Sequence, residues 1–239
     1  MSPNLVSFVY LIAAILFILG IKGLTKPKTA VRGNFLSATG MLLAVTVTLL
    51  TVNNVDFSYV IAGVAVGALV GGIMALKVQM TSMPQMVALL NGFGGGASLT
   101  IALAEFVTRV GLVPSSLSDI AQPVAVSVNA FGDGLLGTIA IVSIGLTVLI
   151  GAVTLTGSLV AFAKLQELMK KAYGLPGGPL GNGLLLLGAV VSLVILVNNP
   201  GNLAAMLAIL CLALLLGLFL VMPIGGADMP VVIALLNSY

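Results

Sequence analysis

The chain has 239 residues, of which 60% are hydrophobic and only 6% charged, with a formal net charge of +3. Its mean hydropathy is +1.27. Soluble domains carry roughly 25% charged residues, so the composition excludes a soluble globular fold and marks an integral membrane protein; with the uncharged runs below, the expected fold is an all-α, polytopic transmembrane helix bundle. The chain holds no histidine and one cysteine, Cys211; a lone cysteine in an apolar run cannot close an internal disulfide and reads as a small core residue. No metal ligands are assigned.

Charge-free stretches mark the spans in chain order, because a spanning helix needs about 20 apolar residues. Uncharged runs from Met1 to Ile21, Gly33 to Val55, Phe57 to Leu76, Val78 to Ala104 and Gly134 to Ala163 predict helices near 4–22, 35–52, 58–76, 84–107 and 135–163. The next uncharged run, from Ala172 to Ala227, is too long for one helix. Asn198-Asn199-Pro200-Gly201-Asn202 interrupts it with strong turn chemistry, dividing it into helices near 183–198 and 203–222. An eighth helix begins at Met229 and is cut off at Tyr239. The expectation is seven full helices and the start of an eighth, with residues 1–239 forming one transmembrane domain.

Lysine and arginine accumulate in cytoplasmic loops. An outside N-terminus puts Lys22, Lys26, Lys28, Arg32, Lys77, Lys164, Lys170 and Lys171 inside and only Arg109 outside. Asp56, Asp119 and Asp133 then occupy outer loops, while Glu167 and Asp228 lie inside. Lys164 to Lys171 reads as a helix continuing past the membrane, either as a topological anchor or as a docking surface for soluble domains. The outer loop from Thr108 to Asp133 receives no role.

Met83-Pro84-Gln85-Met86-Val87-Ala88-Leu89-Leu90-Asn91 returns as Met229-Pro230-Val231-Val232-Ile233-Ala234-Leu235-Leu236-Asn237, identical at six of nine positions. Both copies open helices from the same side under this topology. Proline suits a first helical turn, and Ser82 and Asp228 stand where side chains satisfy free backbone donors. Each copy ends in an amide about two turns into an apolar helix, a polar group that needs a partner or lines a polar path. Gly92-Phe93-Gly94-Gly95-Gly96-Ala97-Ser98 follows the first amide and leaves room for close helix approach or for water. Gly63, Gly67 and Gly71 form a second small-residue ridge, read as helix packing. Glu105 is the one acid well inside a span; it either snorkels to water or forms the outer mouth of a proton path.

Gly151 to Leu165 (GAVTLTGSLVAFAKL) resembles the signature helix of the beta subunit of proton-translocating NAD(P) transhydrogenase. Gly225-Gly226-Ala227-Asp228-Met229-Pro230-Val231-Val232 with Leu236-Asn237-Ser238-Tyr239 is similar to another signature of that family. Ala13 to Ile18 and Met83 to Ala88 resemble it too. The resemblance runs through the whole chain and implies the membrane portion of a proton-pumping subunit in a bacterial inner membrane. It implies that hydride passes between NAD(H), held by an alpha-type partner subunit, and NADP(H), held by a C-terminal domain beyond Tyr239. The complete complex is expected to be a dimer. No Gly-x-Gly-x-x-Gly turn follows a strand here, so this segment is expected to bind neither nucleotide and to carry no catalytic residue for hydride transfer.

The resemblance also assigns residues. Asn91 stands where some members have a membrane histidine serving the proton path. Ser158 and Asn237 match polar residues of that path, and Asp228 matches an acid coupling the channel to the NADP(H) domain. Asparagine orders water but carries no proton. The titrating group is therefore expected on a partner's histidine, at Glu105, or in a part of the protein beyond this chain. The expected site is a hydrated seam between the fourth, fifth and eighth helices. An ion-coupled secondary transporter is the alternative function, since proline-started helices and midplane asparagines serve such proteins too; a purely structural subunit is a third.

Overall fold

The computed structural model describes residues 3–51, 57–110, 135–169, 178–225 and 228–238. Among them, every regular element is helical: α1 (Pro3–Leu24), α2 (Pro27–Thr51), α3 (Phe57–Lys77), α4 (Met83–Arg109), α5 (Leu135–Leu165), α6 (Pro179–Asn198), α7 (Leu203–Val221) and the short α8 (Met229–Ser238), with a 3₁₀ turn at Met80–Ser82. Seven of these are long and apolar enough to cross a membrane. The protein is a multi-pass membrane helix bundle. The outer-loop residues Ser115, Ser116, Ser118, Asp119 and Asp133, together with Asp56, Lys170 and Lys171, lie outside the described residues.

Two helices start earlier than the charge-free runs predict. α2 begins at Pro27 and carries Lys28 and Arg32 in its first turns. α6 begins at Pro179, behind Gly178 at φ +55°. Both start at proline, whose fixed φ suits the first turn, while a hydropathy count trims away any charged or glycine-rich first turn.

α5 stops sooner than expected. The helix predicted to run on from Lys164 to Lys171 ends at Leu165. The Leu168 amide bonds back to the Ala163 carbonyl and the Glu167 amide to that of Lys164, with Glu167 left-handed at φ 57°. That pair of bonds is the Schellman helix stop. The Leu165 carbonyl, which a continuing helix would offer to Met169, is taken by the Gln85 amide at 2.8 Å.

The chain divides into two compact units, Met1–Ile61 and Ala62–Tyr239. In the first, α1 and α2 form a hairpin in which Gly33 and Gly40 are buried and Tyr10 shares a 2.8 Å hydrogen bond with Thr48. α3, which contains the boundary, buries no residue, and space opens beside Gly63, Gly67 and Gly71. The ridge read as a packing surface has no described residue of this chain packed on it.

In the second unit, α4 and α5 pair antiparallel, α6 and α7 pack beside α5, and α8 lies against α4 and α5. Large apolar side chains such as Phe93, Ile101, Leu159 and Leu207 point outward, since lipid is as apolar as a leucine core and helices in it associate through small residues. Cys211 is likewise exposed, not in the core; a thiol on a lipid-facing surface costs little, so the apolar run around it did not imply burial. Two apolar cores form. One joins Leu99, Phe106, Ile141, Val148, Leu196 and Ile209. The other joins Ala88, Val160, Ala161, Val221, Met229 and Ile233.

Candidate functional site

Between those cores lies a polar belt. On α4, Asn91, Gly94, Gly95 and Ser98 recur at helical spacing on one face. On α5, Thr147, Gly151, Thr154 and Ser158 do the same. The Asn91 Nδ2 group donates to Ser158 Oγ at 3.0 Å. Ser158 is fully buried, so this bond satisfies a hydroxyl that burial would otherwise penalise. The single Thr156 hydroxyl proton is shared between the Ala152 carbonyl of its own helix and the Leu214 carbonyl of α7, at 3.0 and 2.9 Å.

Glycine sets the spacing of the two helices. A Cβ on Gly95 would lie 2.8 Å from Thr154 Cβ, and one on Gly151 would lie 2.8 Å from the Gly95 carbonyl. Gly92 sits against Ser158, where a Cβ would approach Ser158 Cβ to 3.2 Å. Gly94 differs, with nothing within 4 Å of the corresponding position. It borders a cleft of about 410 Å³ lined by Asn91, Gly94, Ser98, Thr147 and Thr154, closed at one side by Leu236 of α8. That volume admits several water molecules, and polar groups stand on both walls to receive them.

The fourth, fifth and eighth helices meet at this cleft, with Asn91 and Ser158 in direct contact. Asn237 follows Leu236 in α8, and its side chain lies outside the described residues. Glu105 does not line the cleft. It lies one further stretch along α4, where its carboxylate accepts from Arg109 Nε at 2.5 Å. Arg109, assigned to an outer loop from the sequence, is the last residue of α4. Asp228 is exposed one residue ahead of α8, its amide bonded to the Gly225 carbonyl at 3.1 Å. Ser82 does occupy the N-cap position of α4, but its side chain makes no capping bond; the 3₁₀ turn before it leaves Ser82 at ψ 5°, outside the extended backbone that capping uses.

Thr147, Thr154 and Thr156 were not singled out from the sequence. For Thr147 and Thr154 the signal was present as the 4-3-4 spacing of Thr147, Gly151, Thr154 and Ser158, one face of a helix; Thr156 lies off that face. Hydropathy conceals it, because threonine scarcely interrupts an apolar run.

The sequence profile of the NAD(P) transhydrogenase beta subunit matches residues 6–239. The chain belongs to this family. It is 35% identical to the NAD(P) transhydrogenase subunit beta of Rhodospirillum rubrum, over 100% of this chain and 48% of the relative. A second Rhodospirillum rubrum sequence of the same name gives the same identity and coverage. The chain spans about half the length of the curated relatives it matches. The beta-subunit resemblance seen in Gly151–Leu165 and in the stretch around Asp228 is therefore a family relationship extending over nearly every described helix.

Proposed function

We propose that this chain is the membrane proton-conducting part of an NAD(P) transhydrogenase, and that the α4–α5–α8 seam is its proton path. The observation supporting this most directly is the 3.0 Å bond from Asn91 to the buried Ser158 beside a cleft wide enough for water. Neither side chain titrates near neutral pH, but both offer spare donors and acceptors that hold water in a hydrogen-bonded order. Asn237, by its place in α8, is assigned to the same path in this reading. Glu105, held by Arg109, forms the outer mouth. Asp228, exposed at the opposite end of the unit, meets the domain that binds NADP(H) and couples it to the seam.

In this reading the N-terminus is outside, and the partners are an alpha-type subunit bearing the NAD(H) site and a further NADP(H)-binding domain, in a dimeric complex of a bacterial inner membrane. The two nicotinamide nucleotides supply and accept the hydride. This chain's residues order water, exclude lipid from the path and transmit the state of the nucleotide domain. Without a histidine in the chain, proton storage falls to Glu105 or to groups contributed by the rest of the complex.

Inverted membrane vesicles holding the complete complex test the proposal. NADP⁺ reduction by NADH is followed with and without an imposed proton gradient. Stimulation by the gradient, abolished by an uncoupler, is expected. A nucleotide reaction indifferent to the gradient, in well-folded complex, would remove the proton-conducting role.

A further inference from the structure

Lysines near helix ends in membranes ordinarily extend toward water. Lys164, in the last turn of α5, turns onto protein instead: its ammonium donates to the Met222 carbonyl and, at 2.6 Å, to the Ile224 carbonyl. These are carbonyls just past the end of α7 at Val221, where Pro223 prevents continuation and helix acceptors lack partners. A cation there also meets the negative end of the α7 dipole.

The turn it holds leads straight to Asp228 and into α8. Ile224 is followed by Gly225, whose carbonyl accepts the Asp228 amide at 3.1 Å. Then Met229 and Ile233 bury themselves against the core that contains Val160 and Ala161, and Leu236 closes the cleft beside Asn91. The neighbouring residue, Leu165, gives its carbonyl to Gln85, six positions before Asn91 on α4. One turn of α5 therefore grips α4 on one side and the α7–α8 turn on the other. The same two helices meet again at Asn91 and Ser158.

We infer that Lys164 is a positioning residue that clamps the α7–α8 turn to the end of α5, so that displacement of Asp228 is passed through α8 to the wall of the Asn91 cleft. The inference rests on the proposed coupling role of Asp228. A simple helix cap at this place would add stability and do nothing to transmission.

The test uses the complete complex in inverted vesicles, in a Cys211→Ser background carrying Gly225→Cys in the exposed turn. Two quantities are measured: the rate of labelling at position 225 by a membrane-impermeant maleimide, and the ratio of NADP⁺ reduction rates with and without a proton gradient. Lys164→Met is expected to raise labelling at least roughly tenfold, the scale set by losing hydrogen bonds from a charged donor, and to bring the stimulation ratio close to one. Lys164→Arg is expected to restore both. Labelling that rises with an unchanged ratio reduces Lys164 to a cap and overturns the inference, as does wild-type behaviour in both measurements. If Lys164→Met does not accumulate as folded protein, Lys164→Gln is judged by the same two outcomes. A parent complex without gradient stimulation would sink the transhydrogenase reading alone; unchanged labelling in Lys164→Met would still sink the clamp.

Discussion

Gly95 and Gly151 face one another across the α4–α5 seam so closely that a methyl group on either would come within 2.9 Å of the other's backbone or its neighbours. Next to that contact, Gly94 looks into open space. Consecutive glycines in one run thus do opposite things: one brings two helices together and the other keeps a cleft clear.

That contrast predicts opposite outcomes for two alanines. Gly95→Ala should overpack the seam and destabilise the protein by about 1–3 kcal/mol, because Thr154 and the backbone of Gly151 have no room to yield. Gly94→Ala should leave thermal unfolding in detergent unchanged. Equal melting of the two variants would mean that the seam does not pack through Gly95.

Asn91→Leu should separate conduction from stability. Hydrogen bonds between membrane helices average about 0.6 kcal/mol, and the freed Ser158 hydroxyl can turn back to a carbonyl of its own helix. The melting temperature should therefore fall slightly. Gradient-stimulated NADP⁺ reduction should fall far more under the proposed function, since leucine places apolar bulk at the edge of the cleft and removes a group able to hold water. A proportionate decline of both would leave Asn91 as a helix contact only.

The Glu105–Arg109 pair, with side chains 17% and 16% exposed, is shielded enough to contribute about 1 kcal/mol, at the upper end for ion pairs near a surface. A double-mutant cycle of Glu105→Gln and Arg109→Gln, read by thermal unfolding, should return a coupling of that size. If Glu105 is the outer mouth of the path, Glu105→Gln should also reduce gradient-stimulated turnover beyond the stability loss. Unaltered turnover would make the pair an anchor for the end of α4.

Glu167 is the only described non-glycine residue at positive φ. A left-handed conformation costs an L-residue roughly 1–2 kcal/mol, and glycine repays part of that through greater freedom in the unfolded chain. Glu167→Gly should accordingly raise stability by about 0.5–1 kcal/mol, measured by denaturation in detergent. A loss on substitution would show that the glutamate side chain makes a stabilising contact at the helix stop.

Much of the fold was legible before any coordinates. Membrane helices are specified locally: apolar length determines a span, and the asparagine-rich break at 198–202 separates two helices as expected, with Asn202 capping α7 by accepting from the Ala205 amide at 3.0 Å. The repeated Met-Pro phrase correctly marked two helix starts, at Met83 and Met229. Where composition was used to infer burial, it failed at Cys211, because in lipid an apolar or small residue is equally at home facing outward. The end of α5 was misread for a related reason. Lys164 to Lys171 has good helix formers throughout, and the helix stops at the left-handed turn of Glu167, which leaves the Leu165 carbonyl for Gln85, eighty residues earlier in the chain.

The sequence by itself determined the class of protein, the number and order of its spans and its family, since hydropathy and motif identity are properties of neighbouring residues. Only the tertiary structure decided that Asn91 meets Ser158, that Gly95 packs against Gly151 while Gly94 stays clear of its neighbours, and that Lys164 turns inward to the end of α7. Those relationships depend on the register in which α4 slides against α5, and that register is set by close packing of small side chains on separate helices.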